Sequence, residues 1–313
     1  MGINLKTNFY SPLRYPGGKG KLSYFIHLLV ECNGLNDGHY IEPYAGGASV
    51  ALSMLFNEYC SEIHINDIDY NIYCFWESVK NDNEHLCDLI AKTQVTINEW
   101  HNQKNIQLNP KAHSILEVGF STFFLNRTNR SGILKGGVIG GNTQQGEWKI
   151  DARYNKDDLI SRIQRIGRYT DRIHIYNKDT IDLIDSLKKI LPKRSFYYFD
   201  PPYYKKGREL YINYYIHNDH VQISEMISSL QNNYWLVSYD NVPEINELYQ
   251  KYRKQVYNLN YHAAQASMGS EILIFSDKLL VPQLSNPIDK TELKKFNNSD
   301  NQIIEKRRAF SLY

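Results

Sequence analysis

The stretch Tyr40-Ile41-Glu42-Pro43-Tyr44-Ala45-Gly46-Gly47-Ala48-Ser49, with Asn66-Asp67-Ile68-Asp69 about twenty residues beyond the glycines, decides the fold. Residues 40–43 read as a short buried strand, residues 50–58 as a helix and residues 61–66 (SEIHIN) as an alternating strand. The acidic turn at Asp67 then opens a helix through residue 79. Strand, glycine turn, helix, strand, acidic turn is the βαβ unit of a doubly wound sheet. Glycines let backbone approach a ligand where a side chain would collide. An acid placed like Asp67, at the end of the second strand, takes up a ribose hydroxyl pair. The turn therefore implies a nucleoside-containing cofactor, without choosing between a nicotinamide dinucleotide and S-adenosylmethionine. Tight helix–sheet packing is the plainer reading of Gly46-Gly47.

Working outward, residues 20–33 read as an amphipathic helix. The preceding Pro16-Gly17-Gly18-Lys19-Gly20-Lys21 is not a phosphate loop, because Leu22 stands where Ser or Thr is needed and no strand precedes it. Residues 84–170 break the alternation, being helical and Asn/Gln-rich, then glycine-rich and basic. It resumes with a strand at 172–176, a helix at 182–190, a β-prone run at 195–199, a buried strand at 234–238 and a hairpin of 255–261 with 271–275. The expected architecture is an α/β Rossmann-like sheet domain, residues 1–83 and 171–285, interrupted by a mainly helical insertion at 84–170. A polar tail, 286–313, is expected to be partly disordered.

The 313 residues carry a net charge of only +2, but the charge is unevenly spread. Residues 1–100 hold 6 Lys/Arg against 12 Asp/Glu, and residues 101–170 hold 11 against 5. A basic segment interleaved with Phe, Tyr, Asn and Gly fits a patch that neutralises phosphates, although Arg162, Arg165 and Arg168 could equally form a solvated helical face. Cys32, Cys60, Cys74 and Cys87 show no CxxC pairing and no ligand-like histidine spacing, so free thiols are expected and no metal. No run approaches ~18 apolar residues and no signal peptide is evident, which predicts a cytoplasmic protein without membrane contact.

The tetrapeptide Asp200-Pro201-Pro202-Tyr203 follows the β run Ser195-Phe196-Tyr197-Tyr198-Phe199, so its acid lies at a strand's carboxyl end, where open α/β sheets bind ligands. Two prolines stiffen the loop and remove two backbone donors. An exocyclic amine on an aromatic base is a poor nucleophile because its lone pair is delocalised. Asp200 and the Pro201 carbonyl, accepting its two hydrogens, would favour a pyramidal nitrogen with its lone pair aimed at an electrophile. Tyr203 offers a face for stacking the base, which must first leave its duplex.

Together, Leu13-Arg14-Tyr15-Pro16-Gly17-Gly18-Lys19, Glu42-Pro43-Tyr44-Ala45-Gly46-Gly47, Asn66-Asp67-Ile68-Asp69 and Asp200-Pro201-Pro202-Tyr203 resemble the D12 class of DNA adenine-N6 methyltransferases over roughly residues 8–278. The motif order matches the alpha arrangement of that superfamily. The resemblance implies that S-adenosylmethionine is the cofactor, held by Tyr15, Lys19, Glu42, Tyr44, Gly46, Asp67 and Asp200. Asp179 would meet its adenine amine, or else is a helix N-cap. It also implies direct methyl transfer to N6 of a flipped adenine in double-stranded DNA, with Asp200, Pro201, Pro202 and Tyr203 catalytic.

Within the insertion, Phe123-Phe124-Leu125-Asn126-Arg127 and Ser131-Gly132 resemble the family's DNA-binding stretch leading into a hairpin. Asn126, Arg127, Arg130, Ser131 and Lys135 become the candidate DNA contacts. Arg130 and Ser131 stand where better-known members have an aromatic and an Asn, so the recognised sequence does not transfer. A monomer beside the nucleoid is the implied setting; a cognate restriction endonuclease is a candidate partner, and the sequence leaves open whether one accompanies the enzyme. The rivals are an RNA-adenine or protein-amide methyltransferase, a catalytically silent DNA-binding module and, more distantly, a nicotinamide oxidoreductase.

Overall fold

The computed structural model describes residues 9–15, 18–205, 214–261, 267–289 and 291–293. The expectation of a disordered tail falls largely on residues outside these. Five strands run parallel: β1 (Gly38–Glu42), β2 (Cys60–Asn66), β3 (Ile173–Tyr176), β4 (Phe196–Phe199) and β5 (Tyr234–Asp240). The expected hairpin is β6 (Arg253–Tyr261) with β7 (Ser267–Phe275), and β7 pairs antiparallel with β5. The sheet order is β3-β2-β1-β4-β5-β7-β6, a mixed seven-stranded α/β sheet of methyltransferase type.

Both faces of the central strands are buried, as parallel sheets require. In β4, Phe196 and Tyr198 point to one core while Tyr197 and Phe199 point to the other. The first face is covered by α1 (Ser23–Cys32), α2 (Ser49–Phe56) and α3 (Tyr70–Asn81). The chain excursion between β2 and β3 then continues as α4 (Asn83–Lys92), α5 (Ile97–Leu108), α6 (Ile115–Thr128) and α7 (Lys156–Gly167). Phe120, Phe123 and Phe124 of α6 and Leu159, Ile163 and Ile166 of α7 belong to the same apolar cluster as the first face. The second face is covered by α8 (Thr180–Leu187), α9 (His217–Ser229) and α10 (Pro243–Leu248), of which α9 and α10 have no counterpart in the sequence expectations. Among the described residues no helix is long and apolar enough to cross a membrane.

The excursion is pressed onto the sheet layer by a close helix contact. The Phe75 and Phe123 rings of α3 and α6 stack at 6.1 Å. A Cβ on Gly119 of α6 would lie 2.3 Å from Ser78 Oγ and 2.7 Å from the Cys74 carbonyl of α3. Because the second neighbour is backbone, relief requires the helices to part. Gly119→Val is therefore expected to destabilise the chain by about 1–3 kcal/mol. A thermal melt checks this, and an unchanged midpoint would show that the helices do not meet so closely.

Candidate active site

The strand order reverses between β1 and β4, so their connections leave in opposite directions and open a crevice beyond their carboxyl ends. Glu42 ends β1 and Asp200 directly follows β4, which brings both acids to that crevice. One pocket there is lined by Tyr15, Lys19, Glu42, Tyr44, Asp67, Asp69, Asp200, Pro202 and Tyr215, among others. Gly46 is not itself on the pocket wall but lies behind it, between the lining residues Ala45 and Gly47, with φ +45°; a Cβ there would fall 2.7 Å from the Tyr15 ring. Its N–H donates to Asp67 Oδ2 at 3.0 Å, and Asp69 N–H donates to Asp67 Oδ1 at 2.9 Å, locking the two turns together.

Lys19 is buried and its ammonium donates to Asp200 Oδ1 at 2.8 Å, to Asp200 Oδ2 at 3.1 Å and to Tyr203 Oη at 3.0 Å. Glu271 Oε1 stands 3.6 Å away and accepts from the Tyr203 hydroxyl, while Glu271 Oε2 accepts from the Tyr257 hydroxyl. Ser238 Oγ donates to Asp200 Oδ1 at 2.6 Å, and Tyr198 Oη lies 2.8 Å from Ser238 Oγ. Ser238, Tyr257 and Glu271 escaped sequence reasoning. The one usable signal was Glu271 opening an otherwise apolar strand, a position that needs buried partners.

The electrostatics follow from burial and these partners. Burial alone would lower the Lys19 ammonium, but Asp200, Tyr203 and Glu271 outweigh it and hold it well above its ordinary value. Burial raises Asp200, while Lys19 and Ser238 pull it partly back. Burial pushes Glu42 up to about 8, against the Ala51 N–H that donates to it. Burial and the charge of Asp69 push Asp67 up to about 7. Among the described lining residues Lys19 is the sole cation, and it is engaged by Asp200. An excess of raised carboxyls suits a ligand that brings positive charge and hydroxyl donors.

Not every expected residue is placed as expected. Tyr203 is 3% exposed, with its hydroxyl between Lys19 and Glu271, so its ring does not offer the open stacking face anticipated for it. Asp179 is exposed and caps α8 by accepting from Ile181 N–H at 2.8 Å, the alternative reading of that residue. Asn126 is a correction: it is 1% exposed and cannot reach DNA. Its Oδ1 accepts from Arg14 N–H at 2.7 Å, and its Nδ2 donates to the carbonyls of Arg14 at 2.7 Å and Gly132 at 2.9 Å, clamping the N-terminal segment to α6. Arg127 is half-buried, donates from Nε to the Arg153 carbonyl at 2.7 Å, and is lowered to about 10, chiefly by burial. Arg130, Ser131 and Lys135 are exposed. The hairpin expected after them is reduced to one antiparallel bridge, Asn129 with Val138.

Glu42 gives a stability signature. Its folded value is raised, so the folded chain holds the proton longer than the unfolded chain. Its contribution is full below about 4.5 and is lost as pH rises towards about 8. The ligand-free thermal midpoint should fall across that window, and Glu42→Gln should flatten the fall. A Gln variant with the wild-type slope would remove Glu42 as its source.

A family model of D12 class N6 adenine-specific DNA methyltransferases matches residues 15–268. The type II methyltransferase M.MjaIII of Methanocaldococcus jannaschii is 24% identical over 204 residues, 61% of this chain and 68% of that protein. Among solved structures, protein LPL1258 of Legionella pneumophila aligns over 91% of this chain and 92% of its own, with 10% identity and a TM-score of 0.33, too slight a likeness to bear on the site. The family match begins at Tyr15 on the pocket wall and runs through the glycine turn, the acidic turn and the Asp200 loop into β7: the chain belongs to the D12 class of N6 adenine-specific DNA methyltransferases.

Proposed function

We propose that the chain transfers a methyl group from S-adenosylmethionine to N6 of an adenine extruded from a specific site in double-stranded DNA. The observation that carries this reading is the opening of Asp200 onto the same pocket as Glu42 and Asp67. The donor set fits the cofactor, since its ammonium and sulfonium charges meet an acid-rich pocket and its ribose hydroxyls can donate to carboxylates. When bound, S-adenosylmethionine supplies a methyl group on a positively charged sulfur. Asp67 orients the ribose, Glu42 and Tyr44 line the crevice wall, and Tyr15 packs its ring over Gly46. Lys19 fixes the Asp200 carboxylate in one rotamer. Asp179 is assigned to the cofactor's adenine amine on the family resemblance alone.

Asp200 and the Pro201 carbonyl accept the two hydrogens of the extruded amine and direct its lone pair along the transfer line. The rigid Pro201-Pro202 loop holds both acceptors, and the carboxylate favours the positive charge that develops on nitrogen. Tyr203 acts through Lys19, as a positioning residue. Extrusion costs roughly a few kcal/mol, which phosphate contacts can offset. Beside the pocket, a groove is lined by Arg14, Lys21, Arg127 and Arg162, with no carboxylate among its described lining residues. Ser131 lines the same groove, and the exposed Arg130 and Lys135 add positive charge close by in the chain. A cognate restriction endonuclease, a monomeric state and a cytoplasmic, nucleoid-associated location complete the proposal.

Asp200→Asn keeps the side-chain shape and removes the charge, so turnover with labelled S-adenosylmethionine and unmodified DNA should fall at least about a hundredfold while DNA affinity is kept. Retained turnover would overturn the assignment. Lys135→Ala should weaken DNA binding and reduce the slope of log affinity against log salt by about 1, measured by fluorescence anisotropy. A wild-type slope would show that Lys135 meets no phosphate.

A further inference from the structure

Three histidines and a glutamate lie on the second face of the sheet, outside the pocket. His39 is on β1, Glu62 and His64 on β2, and His174 on β3; His39 is in register with Glu62, and His64 with His174. Strands alternate, so His39 shares its face with Ile41, Glu62 and His64 with Asn66, and His174 with Tyr176. The opposite faces of these strands carry apolar residues, among them Tyr40, Ile63, Ile65 and Ile173. A polar group of this composition on a sheet otherwise buried in hydrocarbon calls for a reason.

His39 Nδ1 and His64 Nε2 face each other at 2.9 Å. Two imidazole ligands of a tetrahedral zinc ion, each about 2.0–2.1 Å from the metal, stand roughly 3.3 Å apart, so a few tenths of an ångström of opening admits the ion. One ligand atom from each of His39, Glu62 and His64 lies within 4.8 Å of the others. The orienting partners that metal ligands need are also present. The Nδ1 of His64 pairs with Tyr176 Oη at 3.0 Å, which leaves Nε2 as the nitrogen facing His39. Glu62 Oε2 pairs with His174 Nε2 at 2.7 Å, while Oε1 lies 3.6 Å from His39 Nε2, the ring nitrogen other than the one facing His64, so a side-chain rotation of Glu62 brings Oε1 to the ion. The His64 ring stacks between those of His39 and His174, at 5.2 and 4.4 Å, which fixes its plane. His64 is buried and the Glu62 side chain is 35% exposed, so the group opens to solvent on its carboxylate side.

We infer that His39, Glu62 and His64 form a binding site for a divalent transition metal of the zinc class, with water completing its coordination, which ties β1 to β2 from outside the methyl-transfer pocket. Imidazole and carboxylate ligands in this number suit Zn²⁺, Co²⁺ or Ni²⁺ rather than Mg²⁺ or Ca²⁺, which prefer all-oxygen shells. The inference stands apart from the proposed function, because its ligands serve no step of the transfer. It revises the expectation of no metal.

The test uses the full chain without a polyhistidine tag, titrated with Zn²⁺ and, for its visible spectrum, with Co²⁺. Equilibrium dialysis should give one saturable equivalent, accompanied by a rise in thermal midpoint, since the ion binds the folded chain alone. His39→Gln and Glu62→Gln, both at half-buried positions, should each weaken binding at least tenfold. His174→Ala removes the partner that orients Glu62 and should weaken it ten- to a hundredfold. Absence of saturable uptake by the wild type would overturn the inference. So would uptake unchanged in His39→Gln and Glu62→Gln, which would point to the free cysteines instead.

Discussion

A lysine only 6% exposed stays charged where carboxylates surround it, and Lys19 does so between Asp200 at 2.8 Å and Glu271 at 3.6 Å. The ion pair joins residues 181 positions apart and draws the N-terminal segment over the crevice between β1 and β4. Removing one partner of such a pair strands the other charge, at a cost of about 3–5 kcal/mol. The segment therefore cannot leave without stranding the Asp200 carboxylate. Asn126 holds the same segment from the other side, through both backbone groups of Arg14. One short stretch is thus fastened at once to the helical excursion and to the end of β4, and the pocket exists between the two fastenings.

The acids around that pocket are raised rather than lowered because burial outweighs the cations near them, Lys19 for Asp200 and Glu42 and Lys135 for Asp69. Gly46 and Asp69 give Asp67 backbone donors, and Ala51 gives Glu42 one, but these do not overcome burial. Such carboxyls gain most from a ligand that carries positive charge, since its arrival stabilises the ionised form that burial disfavours. Among the described lining residues an anionic ligand would find no cation that Asp200 does not already engage, whereas a cationic one would meet several acceptors.

Much of this was legible in the sequence because it rests on local pattern. The βαβ unit at residues 40–69, the strand before Asp200 and the terminal hairpin follow from periodicity and turn chemistry, and each strand lies within a few residues of its expected position. The crevice acids were legible for the same reason, since a strand end is a local feature. What was hidden depends on partners far along the chain. Asn126 sits in a basic, aromatic stretch that resembles a DNA contact, yet its amide matches the backbone of Arg14, 112 residues away. Tyr203 was assigned by its loop, but its hydroxyl is claimed by Glu271, 68 residues on. The imidazoles of His39, His64 and His174 are brought together only by strand order, which no linear spacing displays.

The uneven spread of charge along the sequence becomes a division in space. Glu42, Asp67 and Asp69, from the acidic first hundred residues, line the pocket, while Arg127 and Arg162, from the basic excursion, line the groove beside it. The two share Tyr15, Gly18 and Ser49 as a common wall. On the proposed function, a phosphate backbone would be drawn to the second surface and a sulfonium cofactor to the first, each favoured on its own side by the local field. Lys135 stands at the border, close enough for its charge to act on Asp69. In that proposal an extruded adenine, being uncharged, would be the one reactant to cross the border without electrostatic penalty.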